Sequence, residues 1–166
     1  IVLDPVMAAK GGETLLQNAA VQALRRSLIA YAALLTPNVP EAAVLSGRAI
    51  GSLDDMVEAA ALLLTLGPQA VLLKGGHLPG DTVYDVLVSA GGTEVMQAPR
   101  IDSINTHGTG CTLASAVATG LAQGLGLRDA VLRARAYVAG AIRSAPGIGK
   151  GHGPLNHAHT VRRFDS

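Results

Sequence analysis

Apolar residues along the chain follow two spacings, short continuous runs and helical repeats, and their alternation predicts an α/β fold. The runs 1–3, 32–35 and 70–73 have strand length and stop in Asp4-Pro5, Thr36-Pro37-Asn38 and Lys74-Gly75-Gly76-His77. Apolar runs without alternation suit parallel strands buried on both faces. Over residues 13–29, Leu16, Ala20, Leu24 and Leu28 recur at helical spacing with Arg25 and Arg26 turned outward. Residues 41–45 predict one or two helical turns stopped by Gly47. Ser52 and Asp55 have the form of a capping box, opening a helix over 53–66 that ends at Gly67-Pro68. Segments 82–89 and 93–98 alternate more, and Gly91-Gly92 between them predicts a β-hairpin. Two helices, 111–125 and 127–144, flank Gly126, and the tail from Gly147 is rich in Gly and His. The expected architecture is one α/β domain over 1–166: a mostly parallel sheet, an antiparallel hairpin at its edge and two closing helices. Ile1-Val2-Leu3 reads as the middle of a strand without Met, cap or lead-in. A domain truncated at its amino end is therefore expected, with a processed native edge strand as the alternative.

Composition narrows the function classes. Roughly half the chain is hydrophobic, yet it has one Phe, three Tyr and no Trp, so small and aliphatic side chains must fill the helix–sheet contacts. Thirteen Lys and Arg against twelve Asp and Glu leave a net charge of +1, and no stretch concentrates the basic residues. Nucleic acid and anionic membrane surfaces are excluded as default partners. The most apolar run, 56–66, contains Glu58 and is too short to span a bilayer. Cys111 is the single cysteine, so no internal disulfide can form and a reducing cytoplasm is the simplest setting.

In open α/β sheets the ligand crevice lies beyond the carboxyl ends of the strands. That rule selects the loops 4–12, 36–41 and 74–80, all of which carry charged or metal-capable residues. A fourth element, Asn105-Thr106-His107-Gly108-Thr109-Gly110-Cys111, opens a helix. Its glycines allow close backbone approach, and the unpaired N–H groups of a helix start favour an anion, phosphate above all. Alone, such a loop is as often a tight turn, and it is neither a P-loop nor a dinucleotide fingerprint. A lone Cys is likewise more often a small core residue than a nucleophile or base. At a helix amino terminus, however, the dipole favours the thiolate, so Cys111 could accept a proton near neutral pH.

Taken together, the motifs carry a resemblance. Asn105–Cys111 followed by Thr112-Leu113-Ala114-Ser115-Ala116 resembles the anion-hole signature of the hydroxymethylpyrimidine/phosphomethylpyrimidine kinase branch of the ribokinase-like superfamily. Asp4-Pro5-Val6-Met7, Thr36-Pro37-Asn38 with Glu41, Leu72-Leu73-Lys74-Gly75-Gly76-His77 and Gly151-His152-Gly153-Pro154-Leu155-Asn156-His157 follow in the family's order, so the similarity covers residues 1–157. The resemblance implies a three-layer α/β/α kinase of thiamine biosynthesis that uses ATP and Mg²⁺ in the cytoplasm. It phosphorylates 4-amino-5-hydroxymethyl-2-methylpyrimidine and then its monophosphate, with no nucleic-acid or membrane partner, and such kinases commonly form homo-oligomers.

The implied roles follow position by position. Gly108, Thr109 and Gly110 with Cys111 would hold the transferring phosphate by backbone N–H groups, with Thr106 and His107 beside the nucleotide. Cys111 would deprotonate the substrate hydroxyl, Lys74 would neutralise ATP phosphates as a point cation, and Asp4 and Val6 would face the pyrimidine. Asn38 and Glu41 would place Mg²⁺ near the phosphates through water. Plainer readings stand beside these: Asn38 as a turn residue, Glu41 as an exposed first-turn acid, Lys74 as a solvated strand-end lysine, His107 as a loop cap. His152, His157 and His159 read as a surface tail, because Gly and Pro between them give no fixed ligand geometry. Ala9-Lys10-Gly11-Gly12 departs from the family's Ala-Lys-Ser-Gly and lacks its hydroxyl. The family's amino-terminal substrate loop has no counterpart in 1–166, so residues 1–166 alone are expected to expose apolar edges and to dissolve poorly. Pyridoxal or pyridoxine kinase is the nearest rival, and a non-catalytic nucleotide-binding domain is the rival from another class.

Overall fold

The structure, a computed structural model, describes residues 1–7 and 17–161. The segment Ala9-Lys10-Gly11-Gly12 and the first part of the helix expected over 13–29 lie outside the described residues. The chain parts into two compact units, Ile1–Arg100 and Ile101–Ser166.

The first unit is a five-stranded sheet ordered β1 (Val2–Leu3), β2 (Leu34–Leu35), β3 (Ala70–Lys74), β4 (Thr82–Ser89), β5 (Gly92–Pro99). The first three strands are parallel, with Val2 opposite Leu34 and Leu35 opposite Val71. The hairpin β4–β5 then continues the sheet antiparallel from β3, with Lys74 opposite Asp85. Parallel neighbours need crossover connections. Helix α1 (Asn18–Ser27) with a 3-10 turn at Ile29–Tyr31 links β1 to β2; α2 (Val39–Ser46) and α3 (Leu53–Leu64) link β2 to β3. Leu35, Val71, Leu73, Val86 and Val88 share one core cluster with Ile29, Leu45, Met56 and Leu63. Leu34 and Leu72, alternating with them, are fully buried too, so the central strands read as continuous apolar runs for the expected reason.

Cap chemistry sets the helix bounds. Ser52 and Asp55 form both arms of the expected capping box at α3. That helix stops at Leu64 rather than at 66, where Thr65 caps it and donates its hydroxyl to the Leu62 carbonyl. Helix α2 begins earlier than expected, at Val39, because Asn38 is its N-cap and Pro40 occupies the first turn, where a missing N–H costs nothing.

The second unit pairs α4 (Thr109–Ala122) with α5 (Leu127–Arg143). A Cβ on Gly120 would stand 2.9 Å from the Ala130 Cβ, so a glycine is what lets the two helices approach there. Leu113, Val117, Val131, Ala134, Val138 and Leu155 are buried in this unit. The first of the two closing helices was expected from 111, yet α4 starts at Thr109: Gly108, at φ +84°, is the N-cap, and the Gly-Thr-Gly-Cys run lies across its first turn.

Candidate functional site

Three parallel strands of the first unit end side by side, and each delivers one polar group. Asp4 follows β1, Thr36 follows β2, and Lys74 closes β3. The Lys74 Nζ donates to Asp4 Oδ1 at 2.7 Å, and the two side chains are only 14% and 13% exposed. The fully buried Thr36 donates its hydroxyl to the same Asp4 oxygen at 2.9 Å. Lys74 is therefore not a solvated strand-end lysine, since its charge is already met by a carboxylate in a largely dry setting. Val6 is exposed beside this cluster, with an apolar surface open to a ligand.

Asn38 and Glu41 cap α2 reciprocally. The Glu41 N–H donates to Asn38 Oδ1 at 2.9 Å, and the Asn38 N–H donates to Glu41 Oε2 at 2.8 Å. Glu41 is buried at 6% exposure, which excludes the reading as an exposed first-turn acid. Burial pushes its carboxyl above the ordinary glutamate range; the Asn38 N–H and the Lys74 charge oppose the rise, and Asp4 adds to it. The folded chain thus holds this proton to higher pH than the unfolded chain does. Ionisation of Glu41 then weakens the fold as pH climbs from the ordinary glutamate value through the raised one. Glu41→Gln keeps an acceptor for the Asn38 N–H and deletes the charge. Urea unfolding across weakly acid to neutral pH is expected to show this decline in the parent and a flatter profile in the variant.

The donor set suits a cation held through few protein contacts. Among the described residues no three His, Cys, Asp or Glu side chains converge as a metal cage. The Asn38 amide oxygen and Glu41 Oε2 both serve the helix cap, and of the expected pair only the carboxylate can add negative charge for Mg²⁺ or its waters. Mg²⁺ keeps most of its water and asks for one or two carboxylates plus phosphate oxygens.

Beyond Lys74 the chain turns on Gly75, whose N–H donates to the buried Asp85 Oδ1 at 3.0 Å. A Cβ on Gly75 would be driven into the Tyr84 carbonyl oxygen, while one on Gly76 would meet nothing within 4 Å. Gly75→Ala should therefore cost about 3 kcal/mol or more in urea unfolding, because a sheet carbonyl cannot retreat. Gly76→Ala is the control, expected to carry no such steric cost. Arg100 fixes the outer edge of this turn: its guanidinium donates to the carbonyls of Gly80 at 2.6 Å, Gly76 at 2.9 Å and Leu78. Neither Asp85 nor Arg100 stood out in sequence. Each acts on backbone groups 10 to 24 residues away, and only a β-hairpin register would have revealed the pairing.

The second unit presents the anion loop. Helix α4 has no side-chain cap. Thr109 donates its hydroxyl to the Thr106 carbonyl at 2.8 Å, and its N–H makes a long 3.4 Å bond to the same oxygen. The His107 N–H is committed to the Gly153 carbonyl at 3.2 Å, so of the expected phosphate contacts His107 retains only its exposed side chain. The N–H groups of Gly108, Gly110 and Cys111 have no internal acceptor among the described residues. They are what a helix start offers an anion. Cys111 is exposed in the same first turn, its thiol open to solvent.

The expected motifs thus stand as two sets of polar groups, one in each unit, and residues 1–156 match the family described as phosphomethylpyrimidine kinase. The chain belongs to this family. This family member is 52% identical over 157 residues to the thiamine biosynthesis bifunctional protein ThiED of Geobacter sulfurreducens, covering 95% of this chain and 32% of that protein. It is 46% identical over 156 residues to the hydroxymethylpyrimidine/phosphomethylpyrimidine kinase of Streptomyces coelicolor, covering 94% of this chain and 58% of that protein. Its fold is similar to that of the pyridoxal kinase from Staphylococcus aureus in complex with AMP-PCP, with a TM-score of 0.87 and 34% identity over 96% of this chain and 58% of that one. The chain spans 58% or less of each of these proteins. The ribokinase-like α/β fold expected of this phosphomethylpyrimidine kinase family member is the fold observed. No helix among the described residues is long and apolar enough to cross a membrane.

Proposed function

We propose that the protein transfers the terminal phosphoryl group of ATP to the primary alcohol of 4-amino-5-hydroxymethyl-2-methylpyrimidine, and then a second one to the resulting monophosphate. The observation that carries this reading is the uncapped first turn of α4, where free N–H groups of Gly108, Gly110 and Cys111 stand beside an exposed thiol. Phosphoryl transfer asks little covalent chemistry of a protein and much electrostatic positioning. The N–H groups hold the oxygens of the moving phosphoryl group. The Cys111 sulfur takes the proton of the substrate hydroxyl as the oxygen attacks phosphorus and the bond to ADP breaks. Lys74 trades part of its contact with Asp4 for the ATP phosphates, while Asp4 and Val6 border the space for the pyrimidine. Glu41 would hold Mg²⁺ or its waters, with Asn38 fixing the carboxylate; the ion, when bound, screens the phosphate charge. A single free cysteine accords with a reducing cytoplasm.

The second reading is a pyridoxal or pyridoxine kinase, favoured by the similarity to the Staphylococcus pyridoxal kinase. Both substrates carry a hydroxymethyl group on an aromatic ring. Parallel assays of ATP-dependent phosphorylation on the pyrimidine and on pyridoxal decide between them. Faster turnover of pyridoxal would overturn the first reading, and turnover of neither would leave a nucleotide-binding protein. In the same assay Glu41→Gln is expected to raise the Mg²⁺ needed for half-maximal rate about tenfold or more, as a lost charged ligand should.

A further inference from the structure

The anion loop has a conformational problem. Gly108 sits at φ +84° with no side-chain cap on α4, and glycine gives up more freedom than any other residue when fixed. Something outside the helix must hold it. The carboxyl-terminal segment does so from both ends. At one end, Gly153 accepts the His107 N–H at 3.2 Å and Pro154 forms a parallel bridge with His107. The fit is close enough that a Cβ on Gly153 would be driven into the Asn105 amide oxygen.

At the other end the same segment is moored to α5. The Asn156 N–H donates to the Ala141 carbonyl at 3.0 Å, and the Tyr137 hydroxyl donates to the His157 carbonyl at 2.8 Å. The His159 ring lies over Gly140, where a Cβ would come within 2.8 Å of its Nε2, and against Tyr137 at 4.6 Å between ring centres. Between the two moorings Leu155 is buried. This segment is not a free surface tail, and His159 is not a spare metal ligand: its Nδ1 faces the Asn156 carbonyl at 2.9 Å.

We propose that residues 153–159 are a strap that fixes the phosphate-holding turn from α5, with Tyr137, Asn156 and His159 as positioning residues. The strap settles the backbone of His107, which orients the Gly108 turn and the free N–H groups that follow it. The functional part of this inference rests on the kinase reading, and the experiment separates the two.

Two properties of the intact protein are measured: amide hydrogen exchange at His107, and alkylation of Cys111 by iodoacetamide with and without inorganic phosphate. Alkylation is read at Cys111 itself, on the peptide that carries it, so that no other thiol enters the signal. The double variant Tyr137→Phe/Asn156→Ala removes the Tyr137 hydroxyl bond and the 3.3 Å bond that Asn156 Nδ2 donates to Ser144 Oγ, and leaves the Asn156 N–H and Leu155 in place. At an unchanged urea midpoint, it is expected to raise exchange at His107 about tenfold and to raise the phosphate needed for half-protection of Cys111 by a similar factor. Should the double variant lose global stability, Gly153→Ala loads the other end of the strap and is expected to give the same two shifts. Unchanged exchange overturns the strap, and faster exchange with unchanged protection overturns its role in holding phosphate. If phosphate fails to protect Cys111 in the parent protein, the kinase reading fails instead, and the exchange measurement alone upholds or overturns the strap.

Discussion

Lys74→Ala is expected to remove most turnover and, separately, to weaken the fold. The ammonium lies 2.7 Å from Asp4 Oδ1, and both side chains are about one-seventh exposed. Removing it leaves the Asp4 carboxylate with the Thr36 hydroxyl as its remaining side-chain donor among the described residues. Orphaning one partner of a largely buried pair costs about 3 kcal/mol, far more than loss of a surface ion pair. The catalytic loss is separate, since a cation aimed at phosphate oxygens in a water-poor site contributes on the order of 10²-fold or more. Adding Asp4→Asn to Lys74→Ala tells the two effects apart. The orphaned charge is gone, so the urea midpoint should recover while turnover stays low. Recovery of both would make Lys74 only the counter-ion of Asp4. Loss of stability with full turnover in the single variant would remove Lys74 from the reaction altogether.

Cys111→Ala is expected to depress the first phosphoryl transfer more than the second. The alcohol must lose a proton as it attacks, and a positioned base is worth about 10²- to 10⁴-fold. The phosphate acceptor of the second transfer is already ionised and needs no base. Separate single-turnover measurements on the pyrimidine alcohol and on its monophosphate check this. Equal losses in both would mean that Cys111 acts by shaping the first turn of α4. Cys111→Ser provides the intermediate case: it keeps the bulk and offers a much weaker base, so the first transfer should fall nearly as far as in the alanine variant.

The sheet was legible in sequence because apolar runs and turn residues are local signals. Ala70–Leu73 followed by Lys74-Gly75 says strand and stop without any knowledge of neighbours, and Gly91-Gly92 says hairpin in the same way. Ser52 and Asp55 announced their capping box three residues apart. Asn38 and Glu41 have the same spacing and form the same box, which is why α2 begins at Val39 and not at the expected residue 41. The pattern did not reveal that Glu41 is buried or that Lys74 is paired. Those facts depend on which strands become neighbours, and Asp4 and Lys74 are 70 residues apart in the chain. His152 and His157 are exposed, as expected of a surface tail, yet the segment that carries them is hydrogen-bonded to α5. Gly and Pro spacing excludes a rigid local motif, but it is silent about a segment that takes its order from the α5 surface.

Asn38 stands opposite Lys74 in a bridge that extends the β2–β3 pairing, and the Lys74 N–H donates to the Pro37 carbonyl at 2.8 Å. Adjacent strands lie about 4.8 Å apart, a distance set by peptide hydrogen bonds and not by side chains. The sheet therefore acts as a ruler between the lysine and the carboxylate that begins α2. Loops further out can lengthen, shorten or change composition without altering that interval. A side chain of different reach at position 74 finds no backbone give to compensate for it: Arg in place of Lys would overshoot by its own extra length, although its charge is the same.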